Sequence, residues 1–218
     1  MILPDLNPIY FFGIMVALGL LPFFLMMVTS YVKIVVVTTL MRNALGVQQV
    51  PPGMVMNGLA IILSLFIMAP VGQQTWNLVK EINLGPSPSL TDLTNIVETA
   101  SPPLMNFLIR NSDPRVNESF KEVANRIWPQ DMSSKLEVAS PLIVIPSFVV
   151  TELTEAFKVG FILYLPFIVI DLIVSNILLA MGMMMVSPMT ISLPFKLLLF
   201  VTLEGWLKIC RGLLFSYS

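Results

Sequence analysis

Histidine is absent from this chain, and that absence removes a large share of enzyme chemistry. Without an imidazole there is no His-based general acid or base, no Ser/His/Asp triad and little prospect of a zinc site. Cysteine is nearly absent as well. Cys210, the single one, can form neither an intrachain disulfide nor a Cys cluster, and reads as a packing residue beside an apolar segment. Charged residues make up only 11% of the chain and almost cancel, leaving a net charge of −1. That balance offers no nucleic-acid footprint and no strongly polybasic, lipid-binding surface. An enzyme is therefore a poor expectation, and neither a metal nor another cofactor is expected.

Apolar side chains fill the space instead. Hydrophobic residues are 56% of the 218, and mean hydropathy is +0.86, far from a soluble domain with about a quarter of its residues charged. The composition is that of an all-α membrane protein. Hydropathy divides it into four helical segments, roughly 9–28, 54–72, 159–186 and 191–209, with prolines suggesting kinked hairpins. Residues 73–140 hold most of the charges and form a small water-exposed helical domain between an N-terminal hydrophobic part, 1–72, and a C-terminal one, 141–218.

The N-terminal stretch offers no Lys or Arg from Met1 to Asp5, so it reads as a retained segment rather than a cleavable signal peptide. Apolar character continues past Val28 to Gly46, a plausible helix C-cap. Lys33 lies inside that run. It can snorkel to a membrane edge or pair inside an assembly, and the sequence does not choose. Pro51 and Pro52 stop one helix and set the first turn of the next, whose apolar run ends near Pro70 and Gly72. In the polar block, Phe120, Val123, Ile127 and Trp128 recur at helical spacing, and Ser101-Pro102 reads as a cap and first-turn proline. The amphipathic face is expected to pack against the same domain of an adjacent subunit or against an enclosing ring, because a block this small is marginal alone. Pro and Ser crowd a turn at 83–89.

Charges then reappear within apolar sequence. Glu152, Glu155 and Lys158 are spaced by three along one helical face, and Glu155 can pair directly with Lys158. Asp171 interrupts a potential span from Val159 to Val186. A carboxylate there is costly in lipid and marks an ion or hydrogen-bond pair, a proton relay or an exposed loop. Lys196 and Glu204 bracket the last apolar run, which ends in Gly205-Trp206, an aromatic suited to a membrane interface. These embedded charges, Glu152, Glu155, Lys158, Asp171, Lys196 and Glu204, are expected to find partners inside the protein or on neighbouring copies.

One stretch organises the rest. Met183, Met184 and Met185 stand together just before Ser187-Pro188, with Pro194 beyond. Adjacent helical residues point about 100° apart, so three in a row cannot be a one-sided packing stripe. On a bend, several thioethers can face one spot. The alternative is hydrophobic filler beside a helix break.

Orientation follows from the basic residues. Lys33 and Arg42 beside the first short connection place it in the cytoplasm and the 73–140 domain on the far side, while Lys208 and Arg211 argue weakly the other way.

Two long stretches, RNALGVQQVPPGMVMNGLAIILSLFIMAPVG and PSFVVTELTEAFKVGFILYLPFIVIDLIVSNILLAMGMMMVSPMTISLPFKLLLF, with the later GW dipeptide, resemble the FliP/SctR family of type III protein export, closer to the injectisome branch than the flagellar one. The resemblance implies a core subunit of a bacterial export gate, with several copies, expected to be five, assembled with SctS/FliQ-like and SctT/FliR-like subunits at the base of the needle. Unfolded secreted polypeptides pass through its centre. It further implies a complex held at or above the periplasmic face of the inner membrane, with Met183, Met184 and Met185 as a pore gasket. The competing function is a small-solute or proton-coupled transporter relaying through Asp171, Glu152 and Glu155. Such transporters usually carry related halves with matching helix breaks, and no internal symmetry of that kind is present.

Overall fold

The computed structural model describes residues 8–47, 50–80, 90–133 and 136–218. Residues 1–7 and the Pro/Ser-rich turn at 83–89 lie outside this set. All regular elements among the described residues are helices: α1 (Pro8–Met27), α2 (Tyr31–Leu45), α3 (Gly53–Lys80), α4 (Leu90–Ala100), α5 (Pro102–Arg110), α6 (Pro114–Ile127), α7 (Gln130–Ser133), α8 (Pro141–Ala180), α9 (Pro188–Thr202) and α10 (Gly205–Phe215). The fold is all-α, as the hydropathy implies.

Two helices, α3 and α8, are long and apolar enough to cross a membrane. Only 17% of the most apolar stretch of each is buried within the chain, so most of that surface is left for lipid or for other protein. The other expected segments take different forms. Apolar sequence from Leu18 to Leu45 is bent by 66° at the break between α1 and α2. Ser30 donates to Ser64 of α3 at 3.2 Å, and Ser64 donates to Thr29 at 3.3 Å, pinning that elbow to α3. The expected segment 191–209 is two helices, parted where Glu204 adopts a left-handed conformation at φ 52°. Phe200 lies where a Cβ of Gly205 would go, and Trp206 meets the Phe200 ring edge-on at 5.3 Å, so the aromatic packs inward at this turn.

One proline marks no helix end, and two more lie within a helix. Pro70 does not end α3, which continues to Lys80, and Pro146 and Pro166 lie inside α8. Each removes one backbone donor, a cost that an apolar helix sheltered by neighbours tolerates. The expected 159–186 segment is thus the second half of a 40-residue helix ending at Ala180. At 1.5 Å per residue such a helix is about 60 Å long, twice the hydrocarbon thickness of a bilayer, so part of α8 must stand outside it.

Other helix ends follow their local chemistry. Gly46 caps α2 in the left-handed region at φ 73°. The carbonyl of Pro52 accepts the first bonds of α3 from Val55 and Met56. Pro102 opens α5 as expected, but Ser101 donates back to Glu98 rather than capping. Asp113 caps α6 by accepting from the Arg115 amide at 2.9 Å, and its own amide donates to Thr151 of α8.

The core is built around α2. Ile34, Val37 and Met41 are buried against Ala60 of α3, Ala156 and Phe167 of α8, and Phe200 of α9. α2 and α8 approach closely because Gly160 presents only backbone to Leu40. A second cluster seats the polar block on this frame, with Leu108 of α5 buried among Val28, Val144 and Phe148. On α6 the buried residues are Asn117 and Ala124, with Phe120 and Trp128 half-buried. Val123 and Ile127 point outward, so only half of the face read from the sequence is covered within the chain.

Candidate functional site

The methionine triplet is displayed by a helix terminus. At the end of α8, Gly182 turns left-handed at φ 74°, which a Cβ would disfavour. The Gly182 amide donates to the Leu179 carbonyl at 3.0 Å, and the Met183 amide donates to the Leu178 carbonyl at 2.9 Å. This is a Schellman closure, which ends the helix and satisfies its last carbonyls. The chain re-enters helix at Ser187, extended, followed by Pro188 in the first turn of α9. The triplet therefore sits on the connection between two apolar helices, as the Ser187-Pro188 break suggests. Pro194 takes no part in the bend; it lies within α9. Exposure rises along the loop, from 42% at Met183 to 80% at Met184 and 99% at Met185.

Behind the loop, two charged clusters cross-brace the frame. Lys33 of α2 meets Glu152 of α8 at 2.9 Å, with side-chain exposures of 8% and 1%. Tyr217 closes the cluster. Its hydroxyl donates to the second Glu152 oxygen, the Lys33 ammonium lies 4.3 Å from the centre of its ring, and the ring stacks on Phe107 of α5 at 5.9 Å. Burying two charges is costly, and this geometry repays part of that by giving both carboxylate oxygens donors and the ammonium a carboxylate and an aromatic face.

The second cluster joins α9 to the same helices. Lys196, 3% exposed, pairs with Asp171 at 2.7 Å and donates to the Ala44 carbonyl at 3.3 Å. Ala44 lies in the last turn of α2, where carbonyls lack intrahelical donors and the helix dipole favours a cation. Ser192 donates to the other Asp171 oxygen at 2.6 Å. Glu152 and Asp171, nineteen residues apart on α8, stand about 28 Å apart along the axis, too far for a direct proton transfer.

Of the embedded charges expected from sequence, four thus form two buried or partly buried pairs with partners inside the chain, once Lys33 is counted. Glu155 and Lys158 pair with each other at 2.7 Å on the surface, a contact worth little to stability. Glu204 is exposed and joins no ion pair among the described residues. Tyr217, Ser192 and the Ala44 carbonyl were not legible as members of these clusters. Only the embedded charges themselves, each needing a partner, pointed to them.

Fold and site together define a membrane-embedded helical subunit that carries an exposed thioether loop on a charge-braced frame. A family model described as the FliP family matches residues 14–213. Yop proteins translocation protein R of Yersinia pestis is 51% identical over 204 residues, covering 92% of each chain. Virulence protein YscR of Salmonella typhimurium is 46% identical over 222 residues, covering all of both. Hypersensitivity response secretion protein HrcR of Ralstonia nicotianae is 45% identical over 203 residues, 93% of this chain and 94% of the relative. The chain belongs to the FliP family. It is a subunit of the type III secretion export apparatus, an inner-membrane protein that works with other secretion subunits in a membrane complex. These likenesses lend no support to a solute or proton-coupled transporter.

Proposed function

We propose that copies of this chain, five by the family resemblance, assemble with SctS/FliQ-like and SctT/FliR-like subunits into a conduit for unfolded polypeptides, closed by Met183, Met184 and Met185 until it is used. The observation that carries this reading is the exposure of Met184 and Met185, 80% and 99%, at the tip of the α8–α9 connection. Thioethers are apolar enough to exclude water from a narrow ring, flexible enough to part around varied side chains, and uncharged, so neither acidic nor basic cargo is held. The subunit is a structural part of the machine, with no catalytic or cofactor role.

Assembly is supported by the apolar surface left open along α8 and α9, where Ile173, Ile177, Ile191 and Phe195 line one groove. Asp171 keeps 35% of its side chain exposed, and Glu155, Lys158 and Glu204 also reach the surface, so these charges can add contacts between copies. In this reading 1–72 and 141–218 form the helical frame, and 73–140 is a periplasmic domain whose outward Val123 and Ile127 meet a neighbouring subunit.

The test is a stalled export substrate, its leading end threaded and its trailing end fused to a domain that resists unfolding. A photo-reactive amino acid at Met184 should cross-link to that substrate, whereas the same probe at Arg126 on α6 should not. Equal labelling at both positions, or none at Met184 during a verified stall, would refute the conduit.

A further inference from the structure

We infer that Met183, Met184 and Met185 form an oxidation site, at which a peroxide converts the thioethers to sulfoxides and so opens the closed conduit to water and small solutes. The inference rests on the gasket reading above and adds to it a chemical means of regulation.

Methionine oxidation follows access to the sulfur. Here the difference in access is large. Met41 and Met56, packed in the core, are 3% and 2% exposed, whereas the triplet rises to almost full exposure. The hydrogen bonds at the Schellman closure use backbone groups only. Among the described residues no hydrogen bond reaches the three side chains, and Met184 and Met185 stand open at 80% and 99%. A conduit lining must also be reachable by small molecules from at least one side, so a ring of these residues stays open to a diffusible oxidant after assembly.

The step itself balances simply. A sulfur lone pair attacks one oxygen of the peroxide, an S–O bond forms as the O–O bond breaks, and the departing hydroxide takes up the remaining proton as water. Sulfur gives up two electrons and the peroxide accepts them. The product is polar, with a strong hydrogen-bond acceptor where an apolar sulfur had been, and it is reversible by methionine sulfoxide reductases. A constriction that excludes water because it is apolar loses that property when its lining becomes polar. The same trait that makes Met suitable as a compliant seal therefore makes it a redox-sensitive one.

The experiment uses the complete complex reconstituted into dye-loaded vesicles and treated with hydrogen peroxide. Peptide mass spectrometry reads sulfoxide at each methionine, and fluorescence reads leakage. The comparison protein carries Met183→Leu, Met184→Leu and Met185→Leu, which keep apolar bulk but cannot be oxidised. In the unsubstituted complex, sulfoxide should appear on the triplet before Met41 and Met56, dye release should rise severalfold, and a sulfoxide reductase should restore the seal. The leucine complex should show no rise in leakage on adding the oxidant. An unmodified triplet under conditions that oxidise exposed Met132 would overturn the inference, as would a modified triplet without leakage or equal leakage from the leucine complex. A companion complex with alanine at the three positions separates the two readings. Leakage from it without oxidant, beside a tight oxidised complex, removes the oxidation step alone; a tight alanine complex removes the gasket itself.

Discussion

Lys33 and Glu152 face each other at 2.9 Å across the α2–α8 contact, both almost wholly withdrawn from solvent. Removing one partner leaves the other charge buried and uncompensated, which costs about 3–5 kcal/mol, while replacing both with apolar residues of similar size is often neutral. Glu152→Leu alone should therefore lower the thermal stability of the purified protein and its amount in the membrane. Adding Lys33→Met should restore most of both. Equal damage from the single and double substitutions would show that the pair's attraction, not the orphaned charge, is what matters.

Tyr217 ties the chain's far end to that pair and to α5. Tyr217→Phe keeps the ring on Phe107 and against Lys33 but removes the hydroxyl, a hydrogen bond to a charged group worth about 1.5–3 kcal/mol. Tyr217→Ala should cost more, because stacking and the cation–π contact go as well. Thermal unfolding in detergent should rank the two in that order; indistinguishable curves for Phe and wild type would mean the hydroxyl contact is idle.

Gly160 sets how near α2 and α8 can come. A methyl group added there would lie 3.2 Å from the Leu40 Cβ and 3.3 Å from its Cγ, with the nearer Cδ1 forced to move. Gly160→Ala should destabilise by about 1–3 kcal/mol through overpacking. Leu40→Ala in the same chain should relieve the crowding, so that the double variant is more stable than the sum of the two separate losses. Simple additivity in that cycle would place the strain elsewhere.

Asp113 responds to acid through a different route. Hydrogen bonds from the Arg115 side chain and amide hold its carboxyl below the usual carboxylate range. A group depressed in the folded state contributes stability above its unfolded pKa and loses it as pH falls through the folded value. The attachment of α6 should therefore weaken at acid pH, and Asp113→Asn should flatten that part of the profile. Hydrogen exchange of the α6 amides across the acid range reads it directly, and an unchanged profile in the variant would assign the acid sensitivity to other carboxylates.

How much of this could be read beforehand depends on whether a feature is local. Gly46, Pro52 and Pro102 act through their own backbone, and the helix ends they mark fall where the sequence puts them. The methionine loop is legible for the same reason, since the run of thioethers and the Ser187-Pro188 break lie within a few residues. Pro70 misled because a proline's cost depends on what surrounds the helix. Lys33 was left between two readings, and Tyr217 was not singled out. Their partner Glu152 is more than sixty residues from Tyr217 and over a hundred from Lys33, and only the packing of α2, α8 and α10 brings them together. On α6, periodicity found an amphipathic helix but not which of its apolar residues the chain itself covers, because Val123 and Ile127 answer to something outside it.

The sealing role of the loop is tested most directly by small-solute permeability in cells that carry the assembled complex with Met183, Met184 and Met185 all replaced by alanine. Assembly should persist, because the three side chains are exposed and pack in neither core cluster. Dye or ion entry should rise well above that of cells with the unsubstituted complex. Normal impermeability, with the altered complex shown to be present in full amount, would contradict the gasket.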